Sequence, residues 1–146
     1  MTRLLAVLAL ALSGLALSLP VYAQEADQPG DSKFDSYAKY NAYVDRMLTT
    51  REWVPFIKHM GGRDEYTAEQ LAKIESDFNR LYPNRFTSVA LFRQTDLGGG
   101  VSQEARAYWG GGRYLFFYAI LHQRNDDLVV LNFALNTKIE AIMEKF

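Results

Sequence analysis

Residues able to do chemistry are few and scattered in this chain. Its two histidines, His59 and His122, stand far apart. His59 just precedes Gly61-Gly62 at an expected helix C-terminus, where a cation is favoured on structural grounds alone. His122 falls near the tip of an expected hairpin. The chain has no cysteine, and no carboxylates converge on either histidine at metal-ligand spacing, so no metal site and no cofactor are expected. Ser88 and Ser102 lack a nucleophile elbow and a histidine neighbour. The triplets Gly98-Gly99-Gly100 and Gly110-Gly111-Gly112 lie between expected strands and lack the Lys-Ser/Thr ending of a phosphate loop, so they read as turns. Asp45, Glu52, Glu75 and Asp77 read as solvated helix charges. No catalytic residue is assigned.

Aromatic side chains offer more. Buried tyrosine and tryptophan need partners for their polar tips, and several at one helix–sheet junction can line a pocket. Tyr37, Trp53, Phe92, Trp109, Tyr118 and His122 are the candidate lining for a small apolar ligand. An ordinary aromatic core is the competing reading.

The elements that would position them start after an N-terminal export signal. Arg3 precedes an apolar run, Leu4 to Leu19, followed by Pro20 and the small-residue site "VYA", the layout of a secretory signal peptide cleaved after Ala23. The expected organisation is a signal peptide at 1–23, a flexible leader at 24–32 and a single domain at 33–146. The run is short for a bilayer span, so no membrane span is expected after cleavage, and the destination is the periplasm or the exterior. Net charge is −1 and lysine and arginine form no stripe, which argues against nucleic acid as a partner.

Three helices are expected first. One carries Phe34, Tyr37, Asn41, Val44 and Leu48 at three-four spacing, with Tyr40, Tyr43 and Met47 widening the stripe. A short second one runs near Pro55 to Gly61-Gly62, with Thr49 and Glu52 as a weak capping box. The third opens on the capping box Thr67/Gln70 and ends at Pro83. Periodicity then changes to two over 85–96, 101–109, 114–123 and 127–136, joined by turn residues. A terminal helix follows, capped by Thr137 and Glu140. Connections this short join antiparallel neighbours, so the fold class is α+β, with N-terminal helices on a four-stranded antiparallel meander and a short C-terminal helix.

Turn lengths suggest registers. They place Phe116, Tyr118 and Ile120 on the face beneath the helices, beside Ala105, Ala107, Phe92, Leu131, Phe133 and Leu135. The outer face then receives Glu104, Arg106 and Tyr108, an Arg93–Glu104 pair, and an apolar patch of Leu115, Phe117, Leu121 and Val130. Such a patch marks an interaction surface, and a homodimer through the sheet buries it twice. Cover by the terminal helix or the leader is the alternative.

Three helices followed by a meander carrying "YLFFYAIL" and "LVVLNFALN" resemble, in element order over Phe34 to Phe146, the small exported NTF2-like and cystatin-like domains. That resemblance implies a bent sheet wrapped on helices, dimers through the sheet and, in relatives that are enzymes, a general base inside the cavity. The inner face expected here holds no Asp or Glu, and proton transfer in an apolar pocket needs one. The leading expectation is therefore a non-enzymatic binding or assembly module of the bacterial cell envelope. Alternatives are a small lyase or isomerase using Tyr118 and His122, and a carrier of a hydrophobic ligand.

Overall fold

The computed structural model describes residues 31–146; the expected signal peptide, and the expected leader apart from Asp31 and Ser32, lie outside the described residues. The first element is not a helix but a two-residue strand, β1 (Lys33–Phe34). Ser36 then caps helix α1 (Tyr37–Thr50), its hydroxyl accepting from the Lys39 N–H, which satisfies one of the orphan donors of the first turn. Helix α2 (Trp53–Ile57) carries Pro55 in its first turn, where a missing N–H costs nothing. The capping box Thr49/Glu52 does not form: Thr49 instead donates to the Asp45 carbonyl. A wide π-type turn (Lys58–Gly62) closes at Gly61, whose φ of 113° suits glycine. Helix α3 (Ala68–Leu81) opens on the expected reciprocal Thr67–Gln70 box.

The rest is strand: β2 (Ser88–Gly98), β3 (Val101–Gly110), β4 (Arg113–Gln123) and β5 (Leu128–Asn136), then helix α4 (Ile139–Met143). The architecture is α+β, and the sheet is antiparallel with five strands rather than four, in the order β1-β5-β4-β3-β2. Gly111 and Gly112 both have positive φ and make the tight β3–β4 turn.

The registers explain which side chains face the helices. The β3–β4 pairing is as the turn predicts, with Trp109 opposite Tyr114 and Ala105 opposite Tyr118. Three irregularities shift the neighbouring strands, one of them at Leu97 near the β2–β3 turn. Phe92 is an extra residue between Leu91 and Arg93, so Arg93 sits opposite Ala105 and not Glu104. Leu131 is likewise extra, so Phe133 pairs with Ala119 and Leu135 with Phe117. Because side chains alternate, each one-residue slip moves every later residue to the other face.

The outcome reverses the expected faces of β3 and β4, whereas Phe133 and Leu135, slipped by the bulge, stay on the helix side as expected. Leu115, Phe117 and Leu121 are fully buried and Val130 nearly so, in the main core with Tyr40, Val44, Leu48, Trp53 and Phe56. They do not form an exposed association patch. Phe116, Tyr118 and Ile120 face the opposite way, where α4 covers them: Ile142 joins Ala105 and Tyr118 in a second, small core, with Phe146 against it. The terminal helix does not cover Leu115, Phe117, Leu121 and Val130, as the alternative to a dimer expected; the N-terminal helices do, and α4 packs on the opposite face.

If Phe117 is a core residue, Phe117→Ala should cost about 3–5 kcal/mol. Tyr114→Ala, at a side chain 51% exposed on the outer face, should cost about 1 kcal/mol or less. Urea denaturation midpoints check the order; the reverse order would contradict the face assignment.

Candidate functional site

The strongest cluster of polar chemistry lies where the sequence pattern suggested solvent. Glu104 is fully buried and Arg106 2% exposed, both on the helix side of β3. Glu104 Oε1 accepts from Arg106 Nε at 2.7 Å and from the Tyr40 hydroxyl at 2.8 Å. Its Oε2 accepts from the Tyr37 hydroxyl at 2.8 Å. Arg106 also donates Nη1 to Asp45 at 3.0 Å and to the Asn41 side-chain carbonyl, and Nη2 to the Tyr37 oxygen at 3.1 Å. The Tyr108 hydroxyl donates to Asp45 at 2.7 Å. Residues 37, 40, 41 and 45 share one face of α1 by helical spacing, so α1 delivers four side chains to two residues of one strand.

This corrects two expectations: the inner face carries a carboxylate, and Asp45 is an ion-pair partner rather than a solvated charge. The groups nonetheless consume one another. Burial works against a charged Arg106, but the Glu104 hydrogen bond and charge outweigh it and hold its pKa above the ordinary value. Burial, then the Glu104 hydrogen bond, pushes Tyr37 up to about 12. Burial, then the Asp45 hydrogen bond, pushes Tyr108 well above its ordinary value. The arrangement holds protons in place; it offers no free base.

The six candidate pocket residues are dispersed. Tyr37 belongs to this network. Trp53 is buried under α3 with its Nε1 donating to Asn79 at 3.0 Å. Phe92, Trp109, Tyr118 and His122 are on the outer face. There Trp109, Tyr114 and Phe116 stack in a row, with Phe92 edge-on to Phe116. The Tyr118 hydroxyl donates to Gln103 at 3.0 Å. His59 packs edge-on against Phe34, and burial lowers its pKa.

Two clefts stand elsewhere, and none of the six lines either. The larger, about 530 Å³, lies between α3 and β5. Ile74 and Phe78 of α3 form one wall, Ile57, Met60 and Gly61 the roof, and Val130 to Leu135 the floor, with Ser32, Glu65 and Tyr66 at the margin. The smaller, about 250 Å³, is bounded by Leu81, Tyr82, Arg113, Tyr114 and Thr137. The stripe Ile74/Phe78 and the bordering strand were legible in the sequence. That they leave a gap was not, because Leu131 is displaced by its bulge and stays 53% exposed. Among the described residues no cluster of His, Cys, Asp and Glu suits a metal ion. Compared with protein-family models, curated proteins and solved structures, the chain matches none.

Glu104→Leu alone should destabilise by about 3–5 kcal/mol, because it takes from the buried Arg106 guanidinium its one fully buried carboxylate and leaves only the partly exposed Asp45, and adding Arg106→Met should recover most of that loss. Denaturant titration of the two variants checks this. A second outcome concerns alkali. Neutral Tyr37 and Tyr43, both raised to about 12 chiefly by burial, stabilise the fold fully below the unfolded tyrosine value of about 10. That contribution is lost as pH rises from there through about 12. Tyrosinate absorbance should therefore rise in two stages for the folded protein and in one stage near pH ~10 in urea.

Proposed function

We propose that the protein is an exported, non-enzymatic binding or assembly module of the bacterial cell envelope, and that the α3–β5 cleft is its binding site. One observation carries this reading: the buried ionisable groups are spent on each other, while the cleft has apolar walls and a single charged side chain, Glu65, on its lining. Its volume is within the range of ligand pockets. Export rests on the N-terminal layout, and no helix among the described residues is long and apolar enough to cross a membrane. Carriage of a small apolar ligand is the second reading, favoured by Ile57, Met60, Ile74 and Phe78 around the same cleft. The lyase or isomerase alternative loses support, since Tyr118 and His122 share neither cleft.

A homodimer through the sheet remains part of the proposal, now through the outer face. Phe92, 38% exposed, and Tyr114, 51% exposed, are its apolar contacts in place of the buried residues.

Two measurements check these readings. A photo-crosslinking residue at Leu131 should give an adduct in cells, and one at Leu97, exposed far along β2, should not; no adduct at Leu131, or the same adduct at both, would contradict the cleft. Light scattering should show a dimer that Tyr114→Glu converts to a monomer, and a monomeric wild-type protein would remove the dimer.

A further inference from the structure

The floor of the larger cleft is made by consecutive residues, Val130 to Leu135. Neighbouring side chains of a strand point to opposite faces, so a cavity over one face touches alternate residues only. A cavity touched by every residue in turn lies along the strand's edge. That edge is open. β1 pairs with β5 only at Leu128 and Val129, and the Val130 N–H donates to the Ser32 carbonyl at 2.8 Å. There the ladder stops, because Ser32 has a φ of 69° and turns the chain so that Asp31 pairs with Arg63. Beyond that point no described strand lies against β5 on this side. About half of the backbone N–H and C=O groups of 131–136 then face the cleft instead of β4. An open edge of this kind is a template for another strand.

We infer that the cleft takes an extended segment of a partner polypeptide, running antiparallel to β5 and continuing the ladder that β1 begins. This rests on the binding-module reading and names its ligand class. The pairing of β1 shows that this edge accepts extended backbone, and the proposed strand is continuous with that interface. Strand alternation then sets the ligand's pattern. Every second side chain enters between Phe133 and Leu135 on one side and Ile74 and Phe78 on the other, and must be apolar. The intervening ones meet Asn132 and Ala134 and are small or polar. Glu65, the charged group at the margin, favours a lysine or arginine nearby. The chain's own leader fits poorly: residues 24–30, "QEADQPG", carry no large apolar side chain and bring Glu25 and Asp27 toward Glu65.

The test uses the mature protein, residues 24–146, and a displayed library of random peptides about ten residues long, enough to span the edge at roughly 3.3 Å per residue. Enriched sequences should alternate apolar and polar residues, with a basic one toward one end. A synthetic copy should slow amide exchange at 131–136. N-methylating it at one alternate set of residues should weaken binding at least about tenfold, and at the other set leave it unchanged. No enrichment, or equal loss from both sets, would overturn the strand. So would amides at 131–136 already protected in the free protein, by a second copy if it is then a dimer through this edge, or by the leader if removing residues 24–30 exposes them. If the Leu131 crosslink persists while peptides fail, the binding site stands and only its polypeptide ligand is wrong.

Discussion

A carboxylate and a guanidinium without access to water fasten α1 to the sheet. Taking either charge out of water costs several kcal/mol, which their mutual attraction offsets only when the remaining hydrogen-bonding positions are filled as well. Glu104 and Arg106 are filled by Tyr37, Tyr40, Asn41 and Asp45, all from α1. A helix rotated by one residue, or a strand slipped by one, would leave a buried charge unpaired. The network therefore specifies the angle of α1 and the face of β3 together, and every other strand takes its face from β3.

Surface features follow from that placement. With α1 held over β3, the helical layer covers the middle of the sheet and stops short of β2, where Val89 and Leu91 stay exposed. At the other end α3 approaches β5 without closing on it, and β1 covers only the start of that strand. The uncovered remainder is a cleft with Ile74 and Phe78 on one wall and an open backbone edge on the other. On the far side α4 shields Tyr118 and leaves the row of rings from Trp109 to Phe116 partly in solvent. The open edge of β5 and the pairing of the buried charges are two results of one packing solution.

Much of this order is legible in the residues. The helix stripe at Tyr40, Val44 and Leu48, the Thr67/Gln70 cap and the glycine turns belong to local physics and are found where periodicity puts them. Faces were not legible, for two physical reasons. A bulge adds one residue without a composition signal, so Phe92 and Leu131 shift everything beyond them. Charged residues on a strand also read as solvated, and nothing local tells Glu104 and Arg106 that four partners wait on a helix some sixty residues earlier in the chain. The apolar run from Tyr114 to Leu121 could fit either face, since both are covered, one by α1–α3 and one by α4. The cleft follows from the bulge at Leu131, which sets the register of β5 along its floor.

The buried pair can be examined directly through the side-chain Nε–H of arginine by NMR. Arg106 donates that proton to Glu104 in the core, whereas Arg93 lies over the Phe146 ring on an exposed strand. The Arg106 Nε–H should exchange with water far more slowly than that of Arg93 at neutral pH. Equal, fast exchange at both would mean that Arg106 faces solvent, and that the helices rest on the opposite side of the sheet.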